Sequence, residues 1–346
     1  MKPSLYLTLM ASAWTAQAQD QSQTTSGSGN GSGTNPPIRN IYTFPPNHFI
    51  ENIAVRSNSN LLLTSMSVPQ LFSVDPTASV PSATVIHTFA NNTGTSGIAE
   101  ISPDVFAVVT AEWDLFNTRA ILGTMAIWTV DFTTKSASPK IKFLTPIANS
   151  TIFNGIVRHP SNPRLLLAAD SALGAVWKVD LVTGAYGVAF SSPLLQSTAT
   201  AHLGINGIKA LGAYVYFTNS AQGFLGRVKI DRDANQVGDI EVLASSADAG
   251  AADVVYDDIA LDLSARNGKG DVWIASHPSY AVKVSVGGAG GSSQRVVSDA
   301  AKLLNPTAAA FGRGGARQQR TLYVTNGGEF VGADLINEGV VAIDLR

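Results

Sequence analysis

Four polar residues, Glu51, Asn154, Asn206 and Asp257, each stand directly before a short apolar segment. Their side chains offer two carboxylates and two amide carbonyls, and such an oxygen-only set suits Ca²⁺, or less well Mg²⁺ or Mn²⁺. If the fold brings the four together, they predict a calcium site. The alternative is that Asn-Gly and Asp-Asp only form the turn before a strand. That alternative explains Asn154 and Asn206 better than Glu51, because Glu is a poor turn residue.

The four residues belong to a longer repeat that could position them. A small polar group precedes an apolar strand six times, at intervals of 45, 58, 52, 51 and 48 residues. The six segments are Glu51-Asn52-Ile53, Ser96-Gly97-Ile98, Asn154-Gly155-Ile156, Asn206-Gly207-Ile208, Asp257-Asp258-Ile259 and Asn305-Pro306-Thr307. In an all-β sequence this period indicates propeller blades, which place equivalent residues in a ring around one channel.

Each repeat divides into about four short strands separated by Pro, Asn, Asp, Ser and Gly, which favour turns. The last repeat lacks a fourth strand at the C-terminus, whereas the segment 38–44 precedes the first repeat and resembles other fourth strands. We therefore predict an all-β fold over residues 38–346, a six-bladed β-propeller with little helix. The N-terminal strand would pair with Gly339–Asp344 and remove the open sheet edge.

The low charge does not favour nucleic acid or membrane partners, and the N-terminal segment predicts a secreted protein. Only 14% of the 346 residues are charged and the net charge is −2, so nothing favours nucleic acid or an anionic membrane. Lys2, a short apolar run and Ala16-Gln17-Ala18 predict a signal peptide at 1–18, followed by a flexible low-complexity tail at 19–37. The sequons at Asn30, Asn91 and Asn149 fit a glycoprotein, and we expect a monomer.

The order and spacing of the quartet resemble the senescence-marker-protein/gluconolactonase family of six-bladed propellers. That resemblance, over roughly residues 38–346, implies that Glu51, Asn154, Asn206 and Asp257 bind calcium and that the protein hydrolyses lactones. The sequence departs from the family pattern in two places. Asn52-Ile53 follows Glu51 where the family usually has Gly-Pro. Asp258 follows Asp257 where the family has Gly.

The signal peptide and the Gly/Ser-rich leader also resemble a secreted fungal branch of these propellers. Some of its members act in secondary metabolism, including hetero-Diels–Alderases that join a tropolone-derived quinone methide to a humulene-type terpene. This resemblance implies a small-molecule pericyclase that requires no cofactor, with Ca²⁺ at the channel mouth as an additional component. A cycloaddition needs no nucleophile, and the sequence has no cysteine and no G-x-S-x-G or H-E-x-x-H motif.

Aromatic and polar residues concentrate in the segments that this fold would place at the channel mouth. They predict an apolar pocket with a few polar groups, although the aromatics could instead only cap the blades. The predicted substrate-binding residues are Trp113, Phe116, Arg119, Phe153, Tyr256, Tyr280 and Phe330, and the predicted catalytic residues are Asp257, His202 and His277. We favour the pericyclase, with the calcium-dependent lactonase as the alternative enzyme and a docking propeller as a non-enzymatic third interpretation.

Overall fold

The computed structural model describes residues 36–345 except 115–118, 135, 137, 252, 264–270 and 289–290. The predicted signal peptide, most of the predicted tail, the sequon at Asn30 and the predicted substrate contact Phe116 lie outside the described residues and stay predictions. Within the described part of the chain, no helix reaches the length and apolar character that a membrane crossing requires.

The structure is an all-β propeller of six antiparallel four-stranded sheets, and this confirms the predicted fold class. The first strand in sequence is β1 (Ile38–Thr43). Blade 1 contains β2 (Ile50–Val55), β3 (Leu61–Ser65), β4 (Gln70–Val74) and β5 (Ala83–Thr88). Blade 2 contains β6 (Gly94–Ser102), β7 (Val105–Ala111), β10 (Ala126–Asp131) and β11 (Lys140–Pro146), with a hairpin of β8 (Trp113–Asp114) and β9 (Arg119–Ala120) between β7 and β10. Blade 3 contains β12 (Phe153–Arg158), β13 (Leu165–Asp170), β14 (Ala175–Asp180) and β15 (Tyr186–Ser191).

The second half of the ring repeats this pattern. Blade 4 contains β16 (Ile205–Leu211), β17 (Tyr214–Asn219), β18 (Phe224–Ile230) and β19 (Gln236–Ser245). Blade 5 contains β20 (Val255–Asp262), β21 (Asp271–His277), β22 (Tyr280–Gly288) and β23 (Gly291–Ser298). Blade 6 contains β24 (Pro306–Phe311), β25 (Thr321–Asn326), β28 (Gly339–Asp344) and β1, with a hairpin of β26 (Glu329–Val331) and β27 (Asp334–Ile336). The helical segments are short: α1 (Ala316–Gln319) and 3₁₀ turns at Pro193–Leu195 and Ser246–Asp248.

The core lies between neighbouring blades, where Val, Ile, Leu and Phe of facing sheets are fully buried. Hydroxyl groups on the inner strands and nearby turns add hydrogen bonds from one blade to the next. Ser96 Oγ donates to the Phe153 carbonyl at 2.8 Å, Ser171 Oγ to Ile205 at 2.6 Å, Ser220 Oγ to Tyr256 at 2.7 Å, and Thr307 Oγ1 to Ile50 at 2.8 Å. Three of these pairs are buried and the Ser220–Tyr256 pair is partly buried, so each pair fixes the position of one inner strand relative to the next.

The N-terminal strand completes the last blade, as predicted. β1 pairs antiparallel with β28, from Ile38 opposite Ile343 to Thr43 opposite Gly339. Ile41 and Phe44 pack into the core between blades 6 and 1, and each is 5% exposed. The seam between the two ends of the chain is therefore both hydrogen-bonded and apolar.

We expect deletion of residues 19–45 to reduce the free energy of unfolding by about 5 kcal/mol or more. It removes a ladder strand and three buried apolar side chains, and each such loss costs roughly 2–5 kcal/mol. Deletion of residues 19–36 is the matched control and should be nearly neutral. Chemical denaturation of both truncated proteins measures the difference, and equal stability of the two would contradict closure through the N-terminal strand.

Candidate functional site

Each of the six inner strands carries a β-bulge at the same place. In every blade the pairing with the second strand gains one extra residue, as between Ile50 and Ile53 in blade 1 and between Tyr256 and Ile259 in blade 5. A bulge redirects side chains that a regular strand would alternate between its two faces. The paired bulge residues are Glu51-Asn52, Ser96-Gly97, Asn154-Gly155, Asn206-Gly207, Asp257-Asp258 and Thr307-Ala308.

Threonines on the second strands stabilise three of these bulges. A bulge leaves a backbone N–H without its ladder partner, and a threonine hydroxyl accepts that N–H in blades 1, 4 and 6. Thr64 Oγ1 accepts from Asn52 N at 3.1 Å, Thr218 Oγ1 from Gly207 N at 3.1 Å, and Thr325 Oγ1 from Ala308 N at 2.9 Å.

The sixth repeat corrects the sequence alignment by two residues. The sequence placed Asn305 in the ring, but the register of β24 against β25 puts Thr307 at the position equivalent to Glu51. Asn305 instead lies in the preceding turn with a φ of 47°, and its Nδ2 donates to the Gly328 carbonyl at 2.7 Å. The strand begins at Pro306, one residue after Asn305, so Asn305 is not part of it.

We call the first members of the six pairs the channel ring: Glu51, Ser96, Asn154, Asn206, Asp257 and Thr307. Ser96 and Thr307 use their hydroxyls to join blades, as described above. The four that remain are the quartet singled out from the sequence, and all four are buried. The Oδ1 atoms of Asn154 and Asn206 have no hydrogen-bond partner, whereas Asn206 Nδ2 donates to Ser220 Oγ at 2.9 Å.

The ring concentrates negative charge. Burial raises the pKa of Glu51 well above its ordinary value, and the charges of Asp257 and Asp258 raise it further. Glu51 comes from blade 1 and the two aspartates from blade 5, so their interaction acts across the channel. Like charges that are close together in a buried site favour the protonated form of one partner. The site therefore favours the protonated form of Glu51 more than solvent would.

Asp257 is paired with His277, an interaction that the sequence did not predict. His277 Nε2 lies 2.9 Å from Asp257 Oδ2, and His277 is buried at the end of β21. Burial raises the pKa of Asp257, and this effect outweighs the opposing hydrogen bond and charge of His277 and a hydrogen bond from Asn206. The structure thus brings two of the three predicted catalytic residues together as a buried acid–base pair.

The ring also offers a set of oxygen atoms that a hard cation could use. Within the described residues, no three His, Cys, Asp or Glu side chains form a metal-binding group by themselves. A site here would therefore depend on the two amide oxygens of Asn154 and Asn206, which are buried without partners. Together with the carboxylates of Glu51 and Asp257, these donors fit the chemistry of Ca²⁺.

Three of the predicted substrate contacts lie in the core, and their contact with substrate stays a prediction. Phe153 and Tyr256 are fully buried and Trp113 is 8% exposed, so none of them offers more than a small edge to a ligand. Trp113 and Phe153 pack with Met66 and Met125 between blades. The Tyr256 hydroxyl donates to Gln294 Oε1 between blades 4 and 5. An apolar residue beside a mouth loop packs against the neighbouring blade, and this buries more surface than lining a pocket would.

The other predicted residues remain available to a ligand. Tyr280 and Phe330 are half-buried, and Arg119 and His202 are exposed. All four lie at the strand ends or loops on the same side as the start of the inner strands, and their contact with substrate stays a prediction. The catalytic role of His202 also stays a prediction.

Two hairpins, β8/β9 and β26/β27, stand on either side of blade 1 at this mouth. Ala120 N donates to the Thr151 carbonyl at 2.7 Å, and Asn47 N donates to the Leu335 carbonyl at 2.9 Å. Glu338, which follows β27, is fully buried and accepts from His48 N at 2.7 Å. Both hairpins are therefore held at their bases, while Ile121, Leu122 and Val331 remain exposed on them or beside them.

A cavity of about 410 Å³ lies between blades 6 and 1, away from the channel ring. Its lining comes from β1, the turn after β4, the segment around α1 and the start of β25. These elements lie at the opposite end of the inner strands from the ring. The lining residues are Arg39, Pro76, Thr77, Ala78, Arg317, Gln318, Thr321 and Tyr323.

The fold and site together define a six-bladed β-propeller with buried carboxylates and amides at the mouth of its channel. No protein-family model matches the chain. Among curated proteins, it is similar to one from Phoma sp. that is provisionally named a hetero-Diels–Alderase, with 26% identity over 313 residues, 84% of this chain and 86% of that one. A Sarocladium schorii protein provisionally named the hetero-Diels–Alderase asR5 is also 26% identical, over 219 residues that span 57% of this chain and 54% of that protein.

Solved structures support the fold at low sequence identity. A luciferin-regenerating enzyme superposes with a TM-score of 0.62 at 16% identity and covers 89% of this chain and 94% of its own. The Xanthomonas campestris gluconolactonase XC5397 superposes with a TM-score of 0.54 at 13% identity, over 91% of this chain and 99% of its own. These similarities agree with the sequence-based resemblance to gluconolactonase-like propellers.

Proposed function

We propose that the protein is a hetero-Diels–Alderase that joins a tropolone-type quinone methide to a humulene-type terpene. Both curated relatives carry the name hetero-Diels–Alderase, and one of them aligns with 84% of the chain, whereas the two substrates rest on the family resemblance. The structural observation that carries the proposal is the buried Asp257–His277 pair beside Glu51 at the channel mouth. These residues supply acid–base groups, and the cycloaddition needs no nucleophile.

The acid–base groups fit a step that generates the quinone methide. A hydroxymethyl precursor loses water when its leaving hydroxyl gains a proton and its ring hydroxyl loses one. Glu51, whose raised pKa favours the protonated form, supplies the first proton. The Asp257–His277 pair accepts the second, so that the precursor yields one quinone methide and one water. Exchange with solvent then returns both groups to their starting protonation states.

The cycloaddition itself forms one C–C and one C–O bond and releases nothing. The protein contributes by holding the two partners in a reactive pose, an effect worth up to about 7–11 kcal/mol. Tyr280 and Phe330 are the proposed apolar contacts, because they are the predicted aromatic residues that keep exposed surface. Arg119 and His202 are proposed polar contacts at the rim, where a donor could stabilise charge that develops on the heterodiene oxygen.

A calcium-dependent lactonase is the alternative, and the unpaired oxygens of Asn154 and Asn206 favour it. These two residues, Glu51 and Asp257 would hold the ion. Bound Ca²⁺ would supply Lewis-acid polarisation of a lactone carbonyl. Asp257 would position and deprotonate the attacking water, with His277 orienting its carboxylate. The structural similarity to a gluconolactonase supports the shared fold, and the proposal of lactone hydrolysis rests on that family resemblance.

One assay separates the two functions. The purified protein is given a quinone-methide precursor with a terpene diene in one series and a simple aldonolactone in the other, each with and without EDTA. We expect cycloadduct formation with enzyme-dependent regio- and stereochemistry that EDTA does not abolish. EDTA-sensitive lactone hydrolysis with an unchanged cycloadduct profile would refute the pericyclase in favour of the lactonase.

A further inference from the structure

Beneath the channel ring, two polar side chains meet across the channel. The second members of the bulge pairs are small in four blades, namely Gly97, Gly155, Gly207 and Ala308, whereas blades 1 and 5 carry Asn52 and Asp258. Asn52 Nδ2 donates to Asp258 Oδ2 at 2.9 Å, although blade 6 lies between these two blades in the ring. Gly207 makes room for this contact. A Cβ added to Gly207 would lie 2.4 Å from Asp258 Oδ1.

A lysine from a third blade neutralises the buried carboxylate. Lys209 Nζ lies 2.8 Å and 3.0 Å from the two oxygens of Asp258, which is 1% exposed, while the lysine side chain is 25% exposed. Asp258 Oδ1 also accepts from Ile259 N. The carboxylate therefore receives donors from blade 1, blade 4 and its own strand, and each of its oxygens has at least two partners.

This network supplies a positive charge that joins several blades, which is the structural role that a bound divalent cation has in a ring of carboxylates. A cation bound by the quartet would join blades 1, 3, 4 and 5, because its ligands come from those blades. The Asn52–Asp258–Lys209 network already joins blades 1, 4 and 5 directly beneath the ring. A buried ion pair of this kind adds little over two neutral groups, but the loss of one partner leaves an uncompensated charge that strongly destabilises the fold.

We propose that Lys209 is a built-in cation that closes the channel below the ring and joins blades 1, 4 and 5, so that the folded ring does not require a divalent ion. The network forms the floor of the mouth site. It holds Asp258 in place and, through the adjacent backbone, positions Asp257 in the ring. Lys209 and Asp258 therefore stabilise the ring, and the proposal favours a reaction that needs no bound calcium.

The test is the thermal unfolding midpoint of the full chain in EDTA and in millimolar CaCl₂. The wild type should have the same midpoint in both. Lys209→Met should lower the midpoint in EDTA by roughly 5–10 °C, because Asp258 stays buried and charged. Calcium should restore at least half of that loss, since a divalent ion in the site can offset the negative charge that Asp258 carries without its lysine. The double variant Lys209→Met with Asp258→Asn should lose less than Lys209→Met and should not respond to calcium.

Arg164→Met is the matched control, because it breaks the Arg164–Asp180 pair at 2.7 Å on the surface, where the arginine is 58% exposed. It should change the midpoint by less than about 2 °C and give no calcium response. A wild-type midpoint that falls in EDTA would overturn the proposal, as would a Lys209→Met protein that matches the wild type or that calcium does not rescue. If Lys209→Met does not fold, Lys209→Arg and the double variant carry the test: both must fold and be insensitive to EDTA.

Discussion

Replacement of Asp257 by asparagine is expected to slow the turnover of a hydroxymethyl precursor by about 10²–10⁴-fold, the usual contribution of a positioned general acid or base. The substitution preserves shape but removes the carboxylate that pairs with His277 Nε2 at 2.9 Å. His277→Gln should cause a loss of similar size, because each residue orients the other. Single-turnover kinetics of precursor consumption, followed by chromatography, measures both effects.

The cycloaddition step provides the internal comparison for these variants. When the quinone methide is supplied ready-made, both variants should keep most of their effect on product stereochemistry, because the pose depends on pocket shape. His87→Gln, on the outer strand β5, is the matched histidine control and should retain wild-type turnover. Wild-type precursor turnover in Asp257→Asn would exclude the proposed acid–base role of the pair.

Replacement of Trp113 by alanine is expected to reduce the free energy of unfolding by about 3–5 kcal/mol, as for other buried large side chains. Trp113 is 8% exposed and packs with Met66, Met125 and Phe153, and the variant would leave a cavity between the blades. Selectivity should fall as well, because the β8/β9 hairpin that begins with Trp113 loses its support. Denaturant unfolding and the stereoisomer ratio of the cycloadduct measure the two effects.

Tyr280→Ala is the comparison variant, because the Tyr280 side chain keeps exposed surface at the mouth. We expect a stability loss of only about 1–2 kcal/mol, together with a change in the stereoisomer ratio at least as large as that of Trp113→Ala. Comparison of the two variants separates structural support of the mouth from direct contact with the substrate. A Tyr280→Ala enzyme with wild-type selectivity would show that the ring does not shape the pose.

Much of the fold could be predicted from the sequence because blade strands are short and bounded by turn residues. In blade 3, where the sequence predicts about four short strands between turn residues, the structure has four, β12 to β15. Closure by the N-terminal strand was predicted from the strand missing at the C-terminus. The register of blade 6 was not predicted. Asn305 is an asparagine like two members of the channel ring, but it belongs to the turn before β24.

The site was less predictable, because its contacts join residues that are distant in sequence. His277 follows Asp257 by a full strand and a turn, and only the pairing of β20 with β21 brings them together. Trp113, Phe153 and Tyr256 look like pocket residues, since composition does not distinguish a pocket wall from a contact between blades. A signal for the Asn52–Asp258 contact was present: these are the two positions where the sequence departs from the family pattern.

Closure of the ring by β1 has a consequence for the order of folding during synthesis. β1 is among the first parts of the propeller to leave the ribosome, and its partner β28 is among the last. A partial chain without β28 cannot pair the two strands, so the sheet of blade 6 stays incomplete until β28 has been made. Contacts between such distant segments form slowly and leave strand edges exposed to aggregation. Efficient production of this protein should therefore depend on chaperones that protect the open edge of blade 6 until β28 has formed.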